Sequence, residues 1–234
     1  MDKFFSKSSK DVLNHFNVTK EGLSTEQVNK SKEENGFNEL TEKKKKSVLV
    51  VFLEQFKDLL VGILIVAALI SMATGDVEST LVIFAVIIMN AILGTVQNVK
   101  AEQSLNSLKA LSSPNAKVIR NGVKVEIPSR EVVPGDIVVL EAGDLVVADG
   151  RIIESFSLQV NESALTGESE SVNKFEEVID SEEVALGDQK NMVFSSSLVT
   201  YGRALIVVTN TGMTTELGKI ATLMEQTKIG KSVV

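Results

Sequence analysis

Residues 79–99 read STLVIFAVIIMNAILGTVQNV, an unbroken run without one charged side chain. At 1.5 Å per residue, a helix of that length matches the ~30 Å hydrocarbon core of a bilayer, so the run predicts a membrane span. Just before it stand Asp76, Val77 and Glu78, and before them residues 59–75, LLVGILIVAALISMATG, again without charge. This earlier run is short for a span, but residues 47–58 extend it. In that lead-in Val48, Phe52, Phe56 and Leu59 share one helical face, Gln55 is its only polar intruder, and Glu54, Lys57 and Asp58 point elsewhere. It reads as an amphipathic stretch lying at the membrane interface. Spans at about 55–75 and 79–99 therefore predict a tight hairpin with both outer ends on one side. Two buried helices of a soluble core are the alternative.

Four lysines at 43–46 precede the first run, Lys100 and Lys109 follow the second, and the turn holds neither Lys nor Arg. The positive-inside rule then puts both long flanks in the cytoplasm, giving a multi-pass membrane protein with cytoplasmic termini. The polar first 46 residues, with a net charge of +2, do not read as a signal peptide. The absence of a targeting peptide, of Cys and of Trp is compatible with a bacterial plasma membrane, which is the expected location.

Composition removes several function classes. With 44% hydrophobic residues the chain is not disordered. No cysteine is present, which excludes a disulfide scaffold, a thiolate metal site and a thiol nucleophile. His15 is the only histidine, against the three or four ligands a zinc site needs, and reads as a surface or packing residue. A net charge of −7 argues against nucleic acid as a partner, because phosphate contacts need basic patches.

Residues 1–46 read as a segment of short helices. Val12, Leu13 and Phe16 share a face, Ser24 with Gln27 forms a capping box opening a helix to about Asn35, and Gly36 stops it. Beyond the second span, helical spacing continues through Ala101, Leu105, Leu108 and Leu111, so the 47–112 region is a hairpin with a cytoplasmic helical extension ended by Pro114. From Ala116 the period becomes two. Asn121-Gly122 between 118–120 and 123–125 is a hairpin signal, because a type I′ turn needs two positive φ values. Further strands are expected at 137–140, 150–153, 192–198 and 203–209, with a closing helix at 214–226. Residues 113–230 thus form a mainly β cytoplasmic domain, and a piece cut at about 114–226 is expected to fold alone.

Within it, residues 161–169 read NESALTGES. Gly167 allows a tight turn, Thr166 and Ser169 supply small hydroxyls, and Glu168 is a carboxylate able to orient or deprotonate a water. The P-loop lysine is missing, so nucleoside phosphates are not bound in that way. Taken by itself, the loop also reads as a polar turn between strands.

The blocks Val133-Pro134-Gly135-Asp136-Ile137, Gly143-Asp144, Ala148-Asp149-Gly150-Arg151 and Leu165-Thr166-Gly167-Glu168-Ser169 occur in that order. Together they resemble the actuator domain of P-type cation-transporting ATPases, a distorted jelly-roll-like β domain. Asn191-Met192-Val193-Phe194 and residues 211–220 extend the likeness. Residues 54–60 and Asn90-Ala91-Ile92-Leu93-Gly94 are similar to the first two membrane helices of calcium pumps, and Gly22-Leu23-Ser24 with Gly36-Phe37-Asn38 to their N-terminal segment. Two positions depart from the pattern: Val147 stands where the family usually has Pro, and Asn161 where it usually has Asp.

The resemblance implies a fold, a membrane α-helical hairpin plus a mainly β actuator domain with flanking helices, and a function as the N-terminal portion of a calcium-transporting pump. By it, Glu168 positions and activates the water that attacks an aspartyl phosphate held in another domain, while Thr166, Gly167 and Ser169 shape the loop. It implies ATP and Mg2+ as cofactors of the complete pump, none bound by this piece. The partners are the lipid bilayer, the remainder of the pump and the transported cation, Ca2+. The phosphorylation motif Asp-Lys-Thr-Gly-Thr and the Pro-Glu-Gly-Leu-Pro helix break are not in the sequence. The chain is therefore expected not to pump or hydrolyse ATP alone. Two other readings stay open: a pump for another cation, and a non-catalytic two-span actuator protein that regulates a partner pump.

Overall fold

The computed structural model describes residues 3–40, 47–111, 114–181 and 183–231. They form two compact units, one within residues 42–113 and the other drawn from residues 1–41 and 114–234.

In the first unit, helix α3 (Val48–Glu54) passes into a 3-10 turn at Gln55–Lys57, and Asp58 is extended. Its Oδ1 accepts the Leu60 N–H at 2.8 Å, so Asp58 caps a new helix, α4 (Leu59–Ala73). The two helical stretches are bent by 70° at this break and pass for a span only when taken together. The expected continuous span at about 55–75 is corrected accordingly. The capping aspartate divides it, and α4 with its 15 residues covers about 22 Å. The rings of Phe52 and Phe56 still meet, at 5.5 Å, but Leu59 no longer continues their face.

Asp76 starts the next helix in the same way, accepting the Ser79 N–H at 3.1 Å and its hydroxyl at 2.6 Å. Val77 and Glu78, expected in the turn, are already part of helix α5 (Val77–Leu111). Within α5, Val77–Leu105 is long and apolar enough to cross a membrane. Helices α4 and α5 pack through buried Val61, Ala68, Ile87 and Ala91. Leu59, Leu60, Leu69, Ile70, Leu81, Val82 and Met89 are exposed. Exposed apolar surface of this extent marks a face that another apolar phase or protein covers. Of the lysines on which the expected orientation rests, those at 43–46 lie outside the described residues.

The second unit holds one antiparallel sheet of seven strands: β1 (Asn115–Arg120), β2 (Val123–Pro128), β3 (Ile137–Glu141), β4 (Asp149–Asn161), β5 (Ser171–Asn173), β6 (Met192–Val193) and β7 (Leu198–Asn210). The order is β2-β1-β3-β7-β4-β5, with β6 also on β4. The mainly β character matches the expectation, and Asn121-Gly122 makes the β1–β2 turn with both residues at positive φ. The expected strand at 192–198 is corrected: β6 is two residues long, and the chain turns at Ser195–Ser197, with Ser196 at φ 70°, before β7 begins. Strands β4 and β7 are each longer than the expected strands at 150–153 and 203–209. Shifts in their pairing between Ile152 and Glu154 and between Phe156 and Gln159 interrupt the alternation that would have revealed this.

Both faces of the sheet are buried. One holds Val118, Val138, Leu140, Ile152, Leu158, Val160, Val199 and Ile206 of the strands, together with Val132, Val146 and Ala148 of the connections between them. The other gathers Ile137, Ile153, Met192, Phe194 and Val207 beneath Phe4, Phe5, Val12, Val18, Leu23 and Val28 of the N-terminal segment. That segment contains α1 (Ser9–His15) and α2 (Thr25–Asn35), the latter opened by the expected Ser24–Gln27 capping box and followed by Gly36. Leu23 bridges to Arg120, and a Cβ on Gly22 would stand 1.7 Å from the Ile119 carbonyl oxygen, so glycine alone fits there. Asn38 donates to the Ser129 and Val147 carbonyls at 3.0 and 2.9 Å and accepts the Gly212 N–H at 2.8 Å. A piece cut at 114–226, expected to fold alone, would lack this cover and leave the second apolar face open.

Candidate functional site

The loop at 162–170 joins β4 to β5, whose register sets Asn161 opposite Ser171 and Gln159 opposite Asn173. Its first residues form one helical turn, α6 (Ser163–Thr166). The Glu162 carbonyl accepts the N–H groups of Leu165 and Thr166 at 2.9 and 3.0 Å and the Thr166 hydroxyl at 3.2 Å. Gly167 closes the turn in the left-handed region, φ 78°, donating its N–H to the Ser163 carbonyl at 3.0 Å. Leu165 packs into the second core cluster and fixes the turn to the domain.

The four residues singled out from the sequence lie side by side on this loop. Thr166 is half-buried, and its hydroxyl accepts the Glu168 N–H at 3.3 Å. Gly167, Glu168 and Ser169 are exposed. Asn161 spans the base of the loop: its Oδ1 accepts the Ser163 N–H and its Nδ2 donates to the Ser169 carbonyl, both at 3.0 Å. An aspartate there would keep the first bond and lose the second. The Val147 carbonyl, which a proline would also possess, is the acceptor for Asn38.

Sequence reasoning missed what lies under the loop. The Lys174 ammonium meets Glu162 Oε1 at 2.6 Å, with both side chains essentially without exposed surface. Lys174 also faces the Gln189 carbonyl at 3.4 Å and the Phe194 ring at 5.5 Å. Burial pushes the Glu162 carboxyl up and the Lys174 ammonium down, and each charge partly restores the other. The sequence held no simple signal for it: Glu162 lies past the loop end of the β4–β5 pairing and Lys174 past its far end, so the two are not directly opposed.

Three further buried charges shape the domain around the site. Asp136 accepts Arg120 Nε at 2.8 Å, its Nη2 at 2.7 Å and the Val133 N–H at 2.9 Å. Asp149 accepts the N–H groups of Ser195 at 2.8 Å and Glu216 at 2.7 Å, the latter opening helix α7 (Glu216–Lys231). Burial still raises its carboxyl to about 6. Arg151 is buried among the carbonyls of Ile152, Lys7 and Glu176, and burial lowers it to about 10.

Chemically the loop offers one exposed carboxylate beside two hydroxyls, held on a braced base. Among the described residues no group of three or more His, Cys, Asp or Glu side chains is placed to hold a metal ion. His15 instead makes edge contacts with the rings of Phe4 and Phe16, at 5.3 and 4.9 Å.

Comparison with known proteins gives two family matches. Residues 110–225 match the P-type ATPase actuator domain, and residues 4–71 match the cation transporter/ATPase N-terminus. A calcium-transporting ATPase of Listeria monocytogenes is 51% identical over 223 residues, which is 95% of this chain and 25% of that protein. Calcium-transporting ATPase 1 of Lactococcus lactis is 50% identical over 94% of this chain and 25% of its own length. An endoplasmic reticulum-type calcium-transporting ATPase 4 of Arabidopsis thaliana is 41% identical over 90% and 21% respectively. The chain spans about a quarter of the length of the curated relatives it matches.

Proposed function

This chain belongs to the P-type cation-transporting ATPases, and from that premise we propose that it supplies the N-terminal and actuator region of an ATP-driven calcium pump. The actuator loop serves the dephosphorylation step. Glu168 orients and deprotonates the water that attacks the aspartyl phosphate, with Thr166, Gly167 and Ser169 setting the loop against it. The observation that carries the proposal is the placement of Glu168, exposed immediately after a helical turn anchored through Leu165 and the Glu162 carbonyl. A carboxylate so held can take a proton from water without folding back into the domain.

The calcium assignment is supported by the names of relatives 45–51% identical to this chain. The phosphorylated aspartate, ATP and Mg2+ are assigned to the length of the pump beyond this chain; when bound, Mg2+ offsets the charge on the transferring phosphate. Helices α4 and α5 are proposed as a membrane hairpin in a multi-pass protein of the plasma membrane, with both flanks on the cytoplasmic side and α5 carrying actuator motion toward the ion path.

The test is Glu168→Gln in the complete pump. Loss of a general base costs ~10²–10⁴ in rate, so the phosphoenzyme is expected to form from ATP and to decay far more slowly. Decay at the unaltered rate would refute the role.

A further inference from the structure

Resting on that reading, we propose that the buried Glu162–Lys174 ion pair is a positioning device for the dephosphorylation loop, setting where Glu168 is presented. The pair ties the first residue of the loop to the chain just beyond the far end of β5. Glu162 follows the last residue of β4, and Lys174 follows the last residue of β5. Their side chains meet at 2.6 Å, so the ion pair anchors the start of the loop to the domain, while Asn161 links Ser163 near its start to Ser169 near its end.

The backbone carries this geometry forward. The Glu162 carbonyl takes three hydrogen bonds from Leu165 and Thr166, and the Thr166 hydroxyl in turn takes the Glu168 N–H. Rotation of Glu162 therefore tilts the whole helical turn and Glu168 with it. Lys174 is held in its own place by the Leu158 carbonyl, which accepts its N–H at 2.9 Å, and by the Gln189 carbonyl and the Phe194 ring around its ammonium.

Energetics give the reason to assign the pair a role. Desolvating two charges costs several kcal/mol, and well-packed apolar residues usually replace a buried ion pair with no loss of stability. Neither Glu162 carboxylate oxygen, moreover, has a partner in good hydrogen-bond geometry among the described residues, and the Lys174 ammonium 2.6 Å from Oε1 is held as an ion pair. Fold stability thus does not explain the pair, whereas a charge-assisted contact fixes direction in a way that an apolar contact cannot.

The experiment compares phosphoenzyme formation from ATP and its decay in the complete pump for Glu162→Gln/Lys174→Met and for Lys174→Arg, with Glu168→Gln alongside. The double variant removes both charges at nearly constant volume, so it is expected to phosphorylate normally. A displacement of 1 Å in a reacting group can cost on the order of 10²-fold, and decay is expected to slow by at least about tenfold. Lys174→Arg, which keeps a cation for Glu162, is expected to stay within about threefold of the unaltered pump. Normal decay in the double variant overturns the inference. Should that variant fail to phosphorylate, Glu162→Asp decides: it keeps both charges and retracts the carboxylate by one methylene. Slower decay there supports the device, and unchanged decay overturns it. Normal decay in Glu168→Gln would instead overturn the reading of the loop itself, so the two failures are told apart.

Discussion

The Asn191 side-chain amide donates to the Phe5 carbonyl at 2.8 Å, joining positions 186 residues apart in the chain. The same amide reaches the Glu177 carbonyl at 2.8 Å, and Arg151 beside it serves the carbonyls of Lys7 and Glu176 at 3.2 and 2.9 Å. Two buried polar side chains thus satisfy the backbone of two segments that have no strand to pair with.

Asn191→Leu keeps the volume and removes both donated bonds. The Phe5 carbonyl keeps the Ile179 N–H at 3.2 Å and the Glu177 carbonyl keeps Arg151 Nη2 at 3.5 Å, so the loss is that of two hydrogen bonds, about 1–3 kcal/mol in total. The N-terminal segment should then become accessible to protease ahead of the sheet. Limited proteolysis read by mass spectrometry checks this, and an unchanged cleavage order would rule out the role.

Gly22→Ala should undock the same segment from another side. The new Cβ would lie 1.7 Å from the Ile119 carbonyl oxygen, and Gly22 sits at φ 81°, where side chains are strained. Backbone must move for this residue to fit. The expected loss is at least about 2 kcal/mol in urea denaturation of residues 1–41 joined by a flexible linker to 114–231.

Asp149 gives the joined domain a pH dependence. Its carboxyl stands at about 6 in the fold against a usual 3.8. Between those values the folded state holds more of a proton than the unfolded chain, so stability falls as pH rises from about 4 to about 6 and is level above. Two units correspond to about 3 kcal/mol at most. In Asp149→Asn this slope should vanish, with the helix α7 N-terminus less well capped. Denaturation of both proteins at several pH values checks it; a difference between them that does not vary with pH would exclude the assignment.

Asn161 offers a graded test of the loop. Asn161→Asp keeps the bond from Ser163 and loses the one to Ser169, so phosphoenzyme decay is expected to change by no more than about threefold. Asn161→Ala loses both, at ~0.5–1.5 kcal/mol each, and should slow decay by about tenfold. Equal rates in the two variants would show that the clamp does not position the loop.

Features set by neighbours in sequence were legible before the structure. The Asn121-Gly122 turn and the Ser24–Gln27 capping box each need only a few residues to be recognised. The loop was legible for the same reason, as one short run holding Thr166, Gly167, Glu168 and Ser169. Features set by distant partners were not. The bulges in β4 hid its length, and the N-cap role of Asp58 was masked because residues 47–58 read as one amphipathic stretch leading into the apolar run. The Glu162–Lys174 pair lies across a hairpin whose second strand is only three residues long, too short to show a period.

The folded unit built from residues 1–41 and 114–234 has a consequence for biogenesis. Phe5 leaves the ribosome 186 residues ahead of Asn191, its hydrogen-bond partner. At 5–20 residues per second that interval is roughly 10–40 s, long compared with the microsecond-to-second folding of small domains. During it the apolar face of Phe4, Phe5, Val12 and Val28 has no sheet to cover, while the helices at 48–111 are being made and delivered. The nascent N-terminal segment is therefore a natural client for a chaperone, released when β6 and β7 emerge and the sheet closes over it.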